Sequence, residues 1–316
     1  MSVSDSVTGL ASVVIPAYNA AAYVVEAIDS VLAQDYPQVE IIVVNDGSKD
    51  HTLDLLRAYG DRIRVVDQAN SGPPKARNAG LAAVRGEFIA FLDADDVWLP
   101  GKLSAQISHL QAHSDVGTVF TRWHVWPADA DGVFRLPPVQ PVPQPGCERI
   151  SDRSGWMYTR LLLECHLLTT TVLMRASLIR EIGFFDIELY NGDDYDFWLR
   201  ASRAAKIDKL NCIGAYYRVV QGSVSRKPRP INDERVVIEQ ALRRWGLSDP
   251  RSGETLEATV MQRHLDDLVV QFAHAHLMLG DASVSLANYM EVLKRHPWRA
   301  KLWPAAARAW LKQINH

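Results

Sequence analysis

Four short apolar runs set the architecture of the first third of the chain: Val13-Val14-Ile15, Ile41-Ile42-Val43-Val44, Ile63-Arg64-Val65-Val66 and Phe88-Ile89-Ala90-Phe91-Leu92. They are rich in β-branched residues and near-continuous rather than alternating, the pattern of strands buried on both faces. Between the first two, Ala20 to Gln34 carries apolar residues at Val24, Val25, Ile28, Val31 and Leu32, which predicts an amphipathic helix. Further helices are expected from about Asp50 to Tyr59 and from Pro73 or Pro74 to near Gly86, where proline is tolerated in the first turn. Strands and helices in strict alternation predict an α/β, doubly wound, mostly parallel sheet with right-handed crossovers. Ligands of such sheets bind at the carboxyl ends of the strands, so the residues just after each apolar run carry the functional reading.

Farther on, the pattern predicts a helix from Leu99 to about His113 and a strand at Val116 to Thr121. Residues 127–145 hold six of the 16 prolines and read as a long surface excursion, either a linker or a loop bordering an acceptor site. A helix near Trp156 to Glu164, a strand at Thr170 to Met174, a helix at Tyr195 to Ala205 and a strand at Cys212 to Val219 complete this portion. From Asn232 the chain reads as all helical. The expected domains are residues 1–226, with halves at about 10–120 and 121–226, and a helical C-terminal region, 227–316.

Composition narrows the function. With 34 Lys+Arg against 37 Asp+Glu the net charge is −3, which argues against nucleic acid as a partner. Cys147, Cys165 and Cys212 have no metal-binding spacing and suggest no disulfide framework. The first residues, Met1-Ser-Val-Ser-Asp-Ser-Val, lack a basic, then apolar, leader pattern, and no run of about 18 apolar residues occurs. A reducing, cytoplasmic setting is the simplest expectation.

The strand ends carry chemistry. After the first run comes Pro16-Ala17-Tyr18-Asn19, where a dinucleotide fold would place GxGxxG. After the second comes Asn45-Asp46-Gly47-Ser48, which alone is more often a turn and helix cap. After the fourth, Asp93-Ala94-Asp95-Asp96 crowds three carboxylates, which repel one another unless a cation intervenes. Such hard oxygens suit Mg²⁺ or Mn²⁺ bridging to phosphates, although a solvated turn is the plain alternative. Asn70-Ser71-Gly72-Pro73-Pro74-Lys75-Ala76-Arg77-Asn78-Ala79-Gly80 offers Lys75 and Arg77 to a base edge or a phosphate. Asp193 and Asp194, in GDDYDFW, suit either a helix cap or a general base.

Together VVIPAYN, VNDGSKD, NSGPPKARNAG, FLDADD and GDDYDFWLR, in this order, resemble the family 2 glycosyltransferases of the GT-A fold over roughly residues 10–226. The resemblance implies that Asp46 reads the N3–H of uracil beside Tyr18, with Pro16 and Asn19 in the same segment, and that Lys75 and Arg77 steady the nucleotide. It implies that Asp93 and Asp95 form the DxD motif, with Asp95 the metal ligand, Asp93 facing ribose or metal, and Asp96 in support. Asp194 falls where the family keeps its catalytic base, and Asp193 replaces the usual Glu, shortening that arm by one methylene. Tyr217 to Arg226 is similar to the family's closing YRxHxGSxS segment, with Val220 in place of histidine; Arg218, Ser223 and Arg226 are then candidates for a diphosphate contact or a lid.

The implied activity is a metal-assisted, inverting transfer from a nucleoside-diphosphate sugar, UDP-linked, to a hydroxyl of a glycan or lipid-linked acceptor. A sugar-nucleotide nucleotidyltransferase would need a glycine-rich basic loop after the first strand, which Pro16 to Asn19 does not supply. A non-catalytic nucleotide-sugar-binding or scaffold protein is the alternative of another class. Residues 291–316 carry six Lys/Arg against Glu291, interleaved with Trp298, Trp303 and Trp310. This suits an anionic membrane surface, and so a peripheral location at the inner face of the cell membrane, or else packing within the chain or on a second subunit. His166, His264, His274 and His276 read as structural, and Phe197 and Trp198 as core.

Overall fold

A computed structural model describes residues 6–135, 147–189, 191–220 and 229–314. Contacts divide the chain into two compact units, Met1–Leu161 with Cys165–Val220 and Leu162–Glu164 with Gln221–His316.

The first unit is built on an eight-stranded sheet of order β3-β2-β1-β4-β7-β6-β8-β5. Its first half comes from β1 (Val7–Ala17), β2 (Val39–Asp46), β3 (Arg64–Gln68) and β4 (Gly86–Phe91), all parallel, as the apolar runs predict. Helices α1 (Val24–Leu32), α2 (Thr52–Arg57) and α3 (Pro73–Ala83) make the crossovers. α1 buries Val24, Ala27, Ile28 and Val31 on the sheet, one stripe of the expected amphipathic pattern. At Gly80 of α3 a side chain would collide with Val14, so glycine lets this helix lie close to β1.

The second half is mixed. β5 (Val97–Trp98) precedes α4 (Lys102–Ala112), and β6 (Val116–Pro127) runs six residues beyond the expected strand end. The short helix α5 (Tyr158–Leu161) leads to β7 (Val172–Arg175), which pairs antiparallel with both β4 and β6. Helices α6 (Ala176–Ile182) and α7 (Asp193–Ala204) follow, and then β8 (Lys206–Val219), parallel to β6 and antiparallel to β5. Because β7 is reversed, its amino end lies beside the carboxyl end of β4 and the middle of β6. Phe197 and Trp198 are core, in ring contact with each other and with Phe91.

One expectation is overturned. Cys147 and Cys212, 65 residues apart in sequence, are disulfide-bonded with Cα atoms 5.2 Å apart, while Cys165 is free. The bridge joins β8 to the chain just beyond the proline-rich excursion, a pairing that spacing alone cannot reveal. It also removes the argument from cysteine usage for a reducing setting.

The second unit holds α8 (Asp233–Trp245), α9 (Ala258–Leu279), α10 (Ala282–Arg295) and α11 (Trp303–Ile314). Apart from one isolated bridge, Ser248 to Thr255, its described residues after Asn232 contain no β-structure. His276 is structural here, accepting from the Asp281 N–H at 3.1 Å with its other ring nitrogen 2.7 Å from the Arg229 carbonyl. No helix among the described residues is long and apolar enough to cross a membrane.

Candidate active site

The carboxyl end of β2 delivers Asp46 into a cradle of donors. The side chain of Gln68, at the end of β3, donates to Asp46 Oδ1 at 2.7 Å, joined by the Ser71 N–H at 2.9 Å and its hydroxyl at 3.1 Å. The Gly72 N–H donates to Oδ2 at 2.9 Å. Gly47 makes this loop possible: its φ is +70°, and a Cβ there would lie 2.5 Å from the Asn70 nitrogen. Asp46 is 3% exposed, and Oδ2, with one donor, keeps capacity to accept another. Beside it, Tyr18 stands 47% exposed after β1. Asn19, at φ 48°, accepts the Lys49 N–H at 2.8 Å and donates its own N–H to Ser48 Oγ at 3.0 Å, tying the β1 and β2 ends together.

From Gly72 the chain enters α3, which carries Arg77 across to two acids. Its Nη1 donates to Asp193 Oδ2 at 2.7 Å and its Nη2 to Asp93 Oδ1 at 3.2 Å. One residue on, the Asn78 side chain accepts the Phe185 N–H and donates to the Phe185 carbonyl, at 2.9 and 2.8 Å. The asparagine of the NSGPPKARNAG segment thus fastens α3 to the chain leading into α7. Lys75, on the same helix, is exposed, and Pro16 is half-buried within β1.

After β4, Asp93, Asp95 and Asp96 form a tight turn closed by the Asp96 N–H donating to the Asp93 carbonyl at 3.0 Å. Asp96 is fully buried. Its Oδ2 accepts the Thr170 hydroxyl at 2.7 Å and its Oδ1 the Arg218 N–H at 2.9 Å. The same Thr170 oxygen accepts the Asp93 N–H at 3.0 Å. Its neighbour Thr169 donates to Asp194 Oδ2 at 3.1 Å. The threonines reach both acids because the antiparallel β7 starts at this end of the sheet. From behind, Trp98 Nε1 donates to the Thr170 carbonyl at 2.7 Å and the Gln106 side chain to that of Thr171 at 2.9 Å.

Arg218 is not a surface arginine. Its Nε donates to the Asp95 carbonyl at 2.7 Å, its Nη2 pairs with Glu26, and its guanidinium lies 4.0 Å from the Trp126 ring and under 5 Å from those of Tyr23 and Phe134. Held this way it props the aspartate turn from within. Ser223 and Arg226 lie outside the described residues.

The electrostatics match crowded acid. Burial and then the Asp93 charge push Asp95 up to about 6, and the same forces, with Asp95 added, raise Asp96 well above the usual carboxylate range. Burial also pushes Asp193 to about 6 although Arg77 pulls it down, with Asp194 adding repulsion. Burial disfavours the Arg77 charge, but Asp193 and Asp93 more than offset that and raise its pKa.

Among the described residues no three or more His, Cys, Asp or Glu side chains converge as a metal cage. The donor set nevertheless fits a hard divalent ion: Asp93 and Asp95 are oxygen donors whose mutual repulsion a cation would relieve. Mg²⁺ and Mn²⁺ sites commonly use one or two carboxylates and take the remaining ligands from phosphates and water.

Several of these residues have no motif to mark them. Gln68, Thr169, Thr170 and Glu26 are common types at unremarkable spacing. Only the strand-end rule, applied to the amino end of a reversed strand, would have pointed to the threonines.

The chain resembles known proteins over part of its sequence and over nearly all of its fold. The model of glycosyl transferase family 2 matches residues 12–135. An uncharacterized glycosyltransferase of Rickettsia prowazekii (strain Madrid E) is 36% identical over 200 residues, 63% of this chain and 60% of that one. Against five such Rickettsia proteins the chain spans only 31% to 60% of their length. WfaP of Escherichia coli, a UDP-Glc:alpha-D-GlcNAc-diphosphoundecaprenol beta-1,3-glucosyltransferase, is 32% identical over 223 residues, 68% of this chain and 80% of that one. Among solved structures, S. aureus TarS 1-349 in complex with UDP-GlcNAc matches with a TM-score of 0.61 at 22% identity, covering 97% of this chain and 88% of that one. That likeness is one of fold, and it agrees with the GT-A arrangement expected from the motifs.

Proposed function

The chain belongs to glycosyl transferase family 2, and we propose that it is an inverting, metal-assisted glycosyltransferase. It moves a sugar from a UDP-linked donor to a hydroxyl of a glycan or lipid-linked acceptor. The observation that carries this reading is the Arg77 bridge, which holds the turn of Asp93 and the acid pair opening α7 at one end of the sheet. The E. coli relative named for a diphosphoundecaprenol-linked acceptor supports the lipid-linked class.

In this reading Asp46 Oδ2 accepts the N3–H of uracil, with the exposed Tyr18 ring beside the base. Asp95, with Asp93, would hold Mn²⁺ or Mg²⁺. That ion would supply Lewis-acid neutralisation of the diphosphate as it departs. Asp194, oriented by Thr169, takes the proton of the acceptor hydroxyl while that oxygen bonds to the anomeric carbon. The carbon–oxygen bond to the diphosphate breaks in the same displacement, its electron pair leaving with UDP, so the anomeric configuration inverts. Asp193 keeps Arg77 in place. Residues 1–226 are the catalytic portion and 227–316 a helical appendage.

A panel of nucleotide sugars, scored for cation-dependent UDP release, tests the proposal. One UDP-sugar is expected to turn over, and its turnover to stop with EDTA. Cation-dependent binding with no turnover against any glycan or polyprenyl-diphosphate acceptor would instead favour the non-catalytic nucleotide-sugar-binding reading, to which Val220 in place of histidine inclines.

A further inference from the structure

The helical unit closes its own small core around Ala273, Tyr289, Leu293, Ala306 and Ala309. That core uses one face of α11. Another face is apolar and uncovered: Trp303, Trp310, Leu311 and Ile314 are 47%, 52%, 48% and 57% exposed. With Ala307 they fall at i, i+4, i+7, i+8 and i+11, a single stripe along the helix. The stripe extends at both ends. Trp303 Nε1 donates to the Pro297 carbonyl at 3.1 Å, which brings in Trp298, itself 73% exposed. At the far end the Lys312 ammonium donates to the Leu277 carbonyl at 3.0 Å, beside the exposed Met278 and Leu279.

Charge selects what this face meets. Arg295 is held by Asp266 and Glu291, and Arg299 by Asp267, so these cations serve the unit internally. Lys301 and Arg308 have no carboxylate partner among the described residues, and residues 292–316 contain no Asp or Glu. The uncovered face is therefore apolar and tryptophan-bearing, with a cationic border. A second copy paired face to face across a two-fold axis would bring that border against itself.

We propose that this face docks on an anionic phospholipid surface, with α11 lying in the plane of the interface. Trp298, Trp303 and Trp310 sit at headgroup level, Leu311 and Ile314 enter the acyl boundary, and Lys301, Arg308 and Lys312 meet lipid phosphates. The docking goes beyond the transfer chemistry and does not depend on it. It would hold the chain where a lipid-linked acceptor resides.

Sedimentation of the full chain with vesicles of phosphatidylglycerol and phosphatidylethanolamine tests this, with phosphatidylcholine vesicles as the uncharged comparison and no donor present. The wild type is expected to sediment with the anionic vesicles at least tenfold more tightly than with phosphatidylcholine, with its tryptophan emission shifted to the blue. Trp310→Ser with Leu311→Ser, and separately Lys301→Gln with Arg308→Gln, should each weaken that binding about tenfold while leaving the thermal unfolding midpoint in place. Equal sedimentation of wild type and both variants would overturn the proposal. So would a wild type that stays in the supernatant, most plainly if it is a dimer that the Trp310 and Leu311 substitutions dissociate.

Discussion

Arg77 on α3 donates to Asp193 on α7 across 2.7 Å, an ion pair between residues 116 positions apart and almost wholly shielded from water. Both charges have left solvent, so each depends on the other. Replacing Arg77 by Met leaves Asp193 buried without its partner and should cost about 3–5 kcal/mol. Urea denaturation of Arg77→Met, Asp193→Asn and the double variant measures this. A coupling of at least about 1 kcal/mol is expected from the cycle, and additive losses would show that the pair contributes nothing of its own.

Thr170 offers a finer probe of the aspartate turn. Thr170→Val keeps the volume but removes the donor to Asp96 and the acceptor for the Asp93 N–H. A loss of about 1–3 kcal/mol is expected from the unsatisfied buried groups. Cation-dependent UDP binding should weaken by about tenfold, the scale of lost outer-shell support. Thr170→Ser, which retains the hydroxyl, should restore most of both. Calorimetric titration of UDP with Mn²⁺ distinguishes the two variants.

The raised Asp95 sets a pH dependence with a definite sign. At about 6 its carboxyl is mostly protonated below pH 6 and free to bind a cation above it. Mn²⁺ affinity in the presence of UDP should therefore rise by up to about tenfold per pH unit approaching 6 and level off beyond it. In cation-free protein the sign of stability runs the other way. Asp95 and Asp193 hold protons more tightly folded than unfolded, so they make the fold less stable as pH rises from about 4 to about 6. Melting curves with and without Mn²⁺ across this range should diverge as pH increases; parallel curves would remove Asp95 from the cation site.

Much of this molecule is written in local pattern. The runs ending at Ile15, Val44 and Leu92 are buried strands, while the run ending at Val66 forms the edge strand β3 and is only partly covered. Asp46, which ends β2, and Asp93, which follows β4, lie at one end of the sheet because these strands are parallel. What local pattern does not contain is pairing at long range. Nothing about Val172 to Arg175 announces that this strand is reversed, yet that reversal brings Thr169 and Thr170 to the acids. The cage around Arg218 is assembled from Tyr23, Trp126 and Phe134 on three separate segments. Likewise the six basic residues of 291–316 are not six free charges, because Asp266 and Asp267 on another helix claim Arg295 and Arg299.

Asp194→Asn tests the central claim most directly. The substitution keeps the acceptor oxygen for the Thr169 hydroxyl but cannot take a proton. With the UDP-sugar and acceptor that the wild type uses, the rate of UDP release should fall by about 10²–10⁴-fold, the range for a lost general base, while UDP affinity with Mn²⁺ stays within about twofold. A variant that releases UDP and forms product at the wild-type rate would contradict the account and place the base elsewhere.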